Sequence, residues 1–390
     1  MIENLENNYI EESNEIINSI NLNLELEKQK QEVRELAKEL REKGGKYDPV
    51  IITKKGEIKP ASKLNIEEQS DEIIRCTIDI LYFIESYLTV FDQTQPNGGA
   101  IIPFKLFGFQ KDVIEEYKNN RFNIINKYRQ GGLTTITCAF YAHKIMFNSN
   151  RNIAVVANLL TTAQNEIMYD ICEFIESCPD WLKPKIDKKN SQKLKIYENG
   201  SKIGAFAISS GLRGYTPTDI LLDECAWVEG GNKFWTSTQP TLQTGGRAIL
   251  ISTPNGYDEL FYKIFDLAKR KENNFNAIEL YWHNDPRYNK NLEWVKNKNK
   301  KNEIKVKDDD WSYEQRLKML QDGWIATSPW FEEQVRNANG DMRKIQQELL
   351  CVGPNTFITI KDNLTNEIKK IKISDLYNLF EEQNNSCVYL

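Results

Sequence analysis

Six short apolar runs mark the middle of the chain: NIINKY (123–128), NIAVVA (152–157), IGAFAI (203–208), DILLD (219–223), RAILIS (247–252) and FNAIEL (275–280). Several are unbroken rather than alternating, the pattern of strands buried on both faces of a parallel sheet. Stretches with helical spacing lie between many of them, at about 134–147, 161–177 and 257–270. Strand and helix in alternation predict an α/β core, mainly parallel sheet between helical layers.

The flanks read differently. Residues 1–45 are rich in Glu, Lys, Asn and Leu, with Leu22, Leu26, Val33, Leu36 and Leu40 spaced three, four or seven apart until Gly44 and Gly45 end the run. That spacing predicts a helical extension, either packed on its own domain or held out as a partner-binding arm. An apolar helical stretch from Ile73, IIRCTIDILYFIESYLTVF, leads through QPNGGA to IIPFKLFGFQKDVIEEY. After Leu280 the run KNKNKKNEIKVKDDD (296–310) is expected to be a solvated surface loop, with a DNA-facing patch as the alternative. The boundaries that follow are a helical extension at 1–45, an α/β core with its helical lead-in at 46–280, a small helical or lid subdomain and linker at 281–350, and a short β-rich segment at 351–390.

A chain of 390 residues with 40% hydrophobic side chains can bury a substantial core. Its net charge of −5 excludes bulk coating of nucleic acid but leaves room for a local basic surface. Seven cysteines without C-x2-C pairs, and two histidines, argue against a structural zinc site. No apolar run is long enough to span a bilayer, so no membrane partner is expected.

Three segments carry chemistry. NIINKYRQGGLTT is a strand running into a glycine-bearing loop that opens a helix. Such a loop offers backbone N–H groups and a helix N-terminus to a triphosphate, and a hydroxyl in the first turn can bind magnesium. Its residues are Lys127, Arg129, Gln130, Gly131, Gly132, Thr134 and Thr135, with Leu133 where a phosphate lysine usually stands. TDILLDECAWV ends a buried strand in Asp223 and Glu224, a pair suited to a metal shell and a general base. RAILISTPNG ends another strand in Ser252 and Thr253, hydroxyls able to reach the neighbouring carboxylate.

The order of these segments, with Phe109 and Gln110 ahead of them, resembles the large terminase subunit of tailed bacteriophages, contractile-tail type, over roughly residues 78–350. FGFQKD matches the family's aromatic-Gln adenine motif, YRQGGLTT its phosphate loop, LLDECAWV its acidic strand and STPNG its coupling motif; SGLRGYTP resembles its R-G segment. The resemblance implies a P-loop NTPase fold of the ASCE type and an ATP hydrolase with ATP and Mg2+ as ligands. It implies Gln110 at adenine, Thr134 and Asp223 at Mg2+, Glu224 in catalysis, Arg129 as a trigger of hydrolysis, and Ser252 and Thr253 in coupling. Leu133 departs from the family pattern, and Lys127 matches the position where some members carry the lysine instead. The implied function is translocation of double-stranded viral DNA by a homo-oligomeric ring on the portal protein, with the small terminase subunit as a further partner, in the host cytoplasm and transiently at the procapsid portal vertex. A DNA helicase or remodelling ATPase, and a catalytically silent DNA-binding terminase fragment, are the alternatives.

Beyond Leu350, CVGPNTFITIKDNLTNEIKKIKISDLYNLF resembles the opening of an intein, with Cys351 as the splicing nucleophile and Thr356 on a first strand that continues into a hairpin. The family's nuclease domain is not expected in this stretch, which carries too few acidic residues for two-metal cleavage, so no nuclease activity is expected.

Overall fold

The computed structural model describes residues 47–92, 95, 99–187, 191, 193–212, 214–243, 245–255, 260–297, 303–338, 357–361 and 368–372. The helical extension at 1–45 and Cys351 therefore lie outside the described residues. The chain divides into two compact units, one of Met1–Leu106, Ala142–Ser149 and Ile171–Lys185, the other of Phe107–Tyr141, Asn150–Asp170 and Ile186–Leu390. The division cuts across the expected 46–280 core, and the expected 281–350 subdomain falls in the same unit as the strands before it.

The first unit opens with the hairpin β1 (Val50–Ile52) and β2 (Ile58–Pro60). The apolar stretch expected as one helix is two, Ile66–Ile78 and Ile80–Tyr87, followed by β3 (Thr89–Asp92) paired with β4 (Ala100–Pro103). Asp79 causes the break: it leaves helical geometry and its carboxylate accepts from Tyr82 N, capping the second helix. The buried Glu72 carboxylate accepts from the hydroxyls of Tyr82 and Tyr87, a closed polar knot beneath the two helices.

In the second unit, β5 (Phe122–Lys127), β6 (Asn152–Ala157), β7 (Leu194–Ile196), β8 (Lys202–Ala207), β9 (Asp219–Asp223), β10 (Arg247–Ser252) and β11 (Asn276–Leu280) form one sheet in the order β11-β5-β10-β9-β6-β8-β7. All pairs are parallel except the edge strand β7. The six strands expected from the apolar runs are present within a residue at each end. Alternate residues of the central strands, Ile124, Ala154, Val156, Ile220, Leu222, Ala248 and Leu250, share one cluster with Phe234, Trp235, Phe261 and Phe265. Helix Leu133–Phe147 starts straight after the β5 loop, and its Ile136, Cys138, Ala139, Phe140 and Tyr141 are all buried, as its lack of a polar face predicts. The expected helix 161–177 is a single turn, Leu160–Thr162, then a π-helical turn, Ala163–Met168, then Tyr169–Ser177.

The charged run 296–310 departs from its reading as a loop. β12 (Glu293–Asn297) pairs antiparallel with β13 (Glu303–Lys307) and with β14 (Ile325–Thr327). Ile304 and Val306 alternate with lysines, a period of two that the density of charge conceals. Buried Trp294 anchors this sheet, its indole N–H donating to Asp308, which also pairs with Arg316. The stretch expected as helical therefore holds a three-stranded sheet beside helices Tyr313–Gln321 and Pro329–Asn337. Further on, β15 (Phe357–Lys361) and β16 (Ile368–Lys372) pair as an antiparallel hairpin.

Candidate active site

The parallel strands β5, β10 and β9 end side by side, and their carboxyl ends carry Lys127, Ser252 and Asp223. Ligands of open α/β sheets bind beyond such ends, where loops and helix N-termini converge. β10 separates the loop-bearing strand from the acidic one, so Lys127 must reach across it, and it does: its Nζ lies 3.0 Å from Glu224 Oε1. The lysine is buried, with 8% of its side chain exposed against 45% for Glu224, so the glutamate sits at the open rim.

Glu224 reaches this rim through its backbone. It adopts φ 50 and ψ 42, a left-handed conformation uncommon for a non-glycine residue and typical of functional strain. The turn sends its carboxylate back over the strand ends, where Ser252 Oγ and Thr253 Oγ1 each lie 3.4 Å from Oε2. Both hydroxyls also accept hydrogen bonds, Ser252 from Ala226 N at 3.1 Å and Thr253 from the Trp227 indole at 3.0 Å. The DECAW turn and the ST turn are thus cross-linked around one carboxylate.

Asp223 lies deeper. Its Oδ2 accepts from Thr134 Oγ1 at 2.9 Å and its Oδ1 from Glu224 N at 3.0 Å. Burial pushes its carboxyl pKa up, opposed by the Lys127 ammonium. A hydroxyl and a carboxylate meeting here are hard oxygen donors of the kind Mg2+ prefers. Among the described residues no group of three or more His, Cys, Asp or Glu could hold a metal. A cation at Thr134 and Asp223 would therefore draw its other ligands from nucleotide and water.

The loop between β5 and its helix is held from behind. Gln110, buried in the first turn of helix Gly108–Asn119, donates from Nε2 to Gly131 O at 3.2 Å and accepts Phe107 N at Oε1. Gly132 has φ +72, a conformation that favours glycine, and a Cβ there would meet Gln110 Nε2 at 2.9 Å and push that brace aside. Leu133 is buried under the loop, its Cδ2 2.9 Å from where a Gly131 Cβ would stand. Arg129 and Gln130 lie exposed on the loop, and Thr135 is half-buried in the first helical turn.

Direct hydrogen bonds therefore join Lys127, Thr134, Asp223, Glu224, Ser252 and Thr253, and Gln110 touches the same loop. Sequence reading missed Arg287, Asp285 and Tyr128. Arg287 donates to Gln130 O at 3.0 Å, and buried Asp285 pairs with Arg287 and accepts the Tyr128 hydroxyl at 2.6 Å. No motif signals this connection, because NDPRY lies 157 positions beyond the loop it touches.

Residues 124–353 match the family described as terminase large subunit, T4likevirus-type, N-terminal. The chain belongs to this family. It is a DNA-packaging ATPase, and membership favours that reading over the helicase and silent-subunit alternatives. Among solved structures, this terminase chain is similar to the Thermus phage P74-26 large terminase ATPase domain, at 15% identity and a TM-score of 0.43, over 64% of this chain and 94% of that one. It is also similar to the HK97 bacteriophage large terminase, at 20% identity and TM-score 0.42, over 53% of this chain and 43% of that one. The large terminase of the thermophilic bacteriophage D6E in complex with ADP matches at 12% identity and TM-score 0.38, over 45% and 46% of the two chains.

Proposed function

We propose that the cluster at the ends of β5, β9 and β10 binds ATP and hydrolyses it, with Glu224 as general base. The observation that carries this reading is the Lys127–Glu224 pair: a buried cation and a rim carboxylate 3.0 Å apart across an intervening strand, flanked by the Thr134–Asp223 contact. The loop N–H groups and the Lys127 ammonium bind the triphosphate oxygens, Arg129 adds charge at the exposed crest, and Gln110, the residue matched to the adenine motif, acts by bracing the loop through Gly131 O, its amide being committed to Gly131 and Phe107. Thr134 and Asp223 hold Mg2+, which when bound neutralises charge on the phosphates. As phosphate oxygens compete for Lys127, Glu224 is freed to orient water and take its proton. Ser252 and Thr253, bonded to both Glu224 and the DECAW turn, report that change to the strands.

Family membership supports a reading of the larger setting. The chain drives double-stranded DNA into a procapsid as a ring on the portal protein, with the small terminase subunit as partner, in the host cytoplasm and transiently at the portal vertex. The segment from Cys351 begins an intein, a reading supported by the β15–β16 hairpin where a first intein hairpin is expected.

Glu224→Gln keeps the size and hydrogen bonding of the side chain but removes the base. ATP binding then stays within a few-fold of wild type while turnover falls by about a hundredfold or more, measured by phosphate release. Wild-type turnover in that variant would rule out the assignment.

A further inference from the structure

We propose that Arg287 is a positioning residue for nucleotide binding, a latch that presets the phosphate loop by holding the Gln130 carbonyl outward. The proposal rests on the reading of 127–135 as the phosphate-binding loop. Two consecutive loop carbonyls are tied back by side chains from elsewhere: Gln130 O by Arg287 Nη2 at 3.0 Å and Gly131 O by Gln110 Nε2 at 3.2 Å. Gln130 at φ 63 and Gly132 at φ 72 flank Gly131, which is absent from the positive-φ residues. That alternation turns successive N–H groups toward one concave side, the arrangement that receives anions. Fixing the carbonyls on the opposite side leaves those N–H groups facing the phosphates before the ligand arrives, so less ordering is charged to binding.

Arg287 is itself held by a carboxylate and two rings, although 39% of its side chain stays exposed. Its Nε lies 2.9 Å from Asp285 Oδ1 and its Nη2 2.5 Å from Oδ2, a two-pronged pairing with a carboxylate that is fully buried. Its guanidinium carbon stands 5.1 Å from the Phe107 ring centroid and 4.9 Å from that of Tyr288. Tyr128, the loop residue after Lys127, donates to the same Asp285. The planar fork is what the position demands: one group must pair with Asp285 and still present an N–H to Gln130 O. A lysine ammonium satisfies the charge but cannot span both acceptors in that geometry.

The test compares wild type with Arg287→Lys by equilibrium binding of ATP and of GTP in the presence of magnesium, with thermal melting of each protein alongside. Arg287→Ala strips the buried Asp285 of its cation and risks misfolding, so the lysine variant carries the test. The latch acts on the loop and not on the base, so Kd should rise by about tenfold for both nucleotides, on the scale of a lost charged hydrogen bond. Asp308→Asn, which breaks the Asp308–Arg316 pair in the neighbouring sheet, gauges the effect of general loosening. Wild-type affinity in Arg287→Lys overturns the proposal, as does an equal loss in Asp308→Asn. A loss confined to ATP also overturns it, since Arg287 would then be contacting the base. Failure of the wild-type chain to bind either nucleotide would instead overturn the reading of the loop itself, and the latch with it.

Discussion

At the scale of the residue, the site turns on where one positive charge sits. Leu133 occupies the first position of the helix after the loop, and its side chain is 1% exposed, folded inward beneath Gly131. An aliphatic group there packs the loop from below and offers nothing to a phosphate. Lys127, at the end of β5, places a cation on the other side of the loop and reaches Glu224, the proposed general base, directly. Lys127→Ala should therefore lower turnover by about a hundredfold or more, the scale of losing one preorganised charge partner in a catalytic site. Leu133→Met, which conserves volume, should cost less than about 1.5 kcal/mol of stability and leave turnover near wild type. Steady-state ATPase assays on the two variants check this, and the reverse ranking would place the phosphate charge elsewhere.

At the scale of the element, helices and strands stop where a side chain offers the backbone another partner. Asp79 divides an apolar stretch that periodicity alone would continue, because its carboxylate caps Tyr82 N. Charge density in 303–307 hides a strand whose alternate positions, Ile304 and Val306, are apolar and which pairs with β12. The β15–β16 hairpin, by contrast, falls where the Phe-Ile-Thr-Ile alternation places a strand. If this hairpin belongs to an intein, Cys351 supplies the thiol that attacks the Leu350 carbonyl, exchanging the amide bond for a thioester and leaving the Cys351 amine free. Mixing the chain with a complementary C-terminal intein piece should then give a ligated product by mass spectrometry. Cys351→Ala should abolish that product and leave the ATPase rate unchanged. Absence of product with the wild-type chain counts against the intein.

At the scale of the whole molecule, stability depends on groups distant from the chemistry. His283 is 2% exposed, and burial together with the nearby Arg316 pushes its pKa from 6.5 down to about 3. The unfolded chain therefore binds this proton before the folded one does. Its contribution is complete above pH 6.5 and is lost progressively as the pH falls from there toward 3. Between pH 7 and 5.5 the loss amounts to about 1 kcal/mol. Denaturant midpoints should show it for wild type, and His283→Asn should flatten that part of the pH dependence; an unchanged slope would mean that other groups govern it. Much of the architecture was legible beforehand, because buried parallel strands must be apolar on both faces and their ends must carry whatever polar groups the site needs. The six central strands, the glycine loop, Asp223, Glu224, Ser252 and Thr253 could all be found because each lies within a short segment whose composition is constrained locally. Their assembly was not legible in the same way. That β10 lies between β5 and β9, that Lys127 spans it to meet Glu224, and that Glu224 turns left-handed to be met are consequences of strand order and backbone torsion. The Arg287 contact is further still from local pattern, since it joins residues 157 positions apart through a buried carboxylate. Local sequence determined which segments become strands and what chemistry their ends carry; only the tertiary structure decided which charges face each other, because that depends on strand order and long-range contacts that no local period encodes.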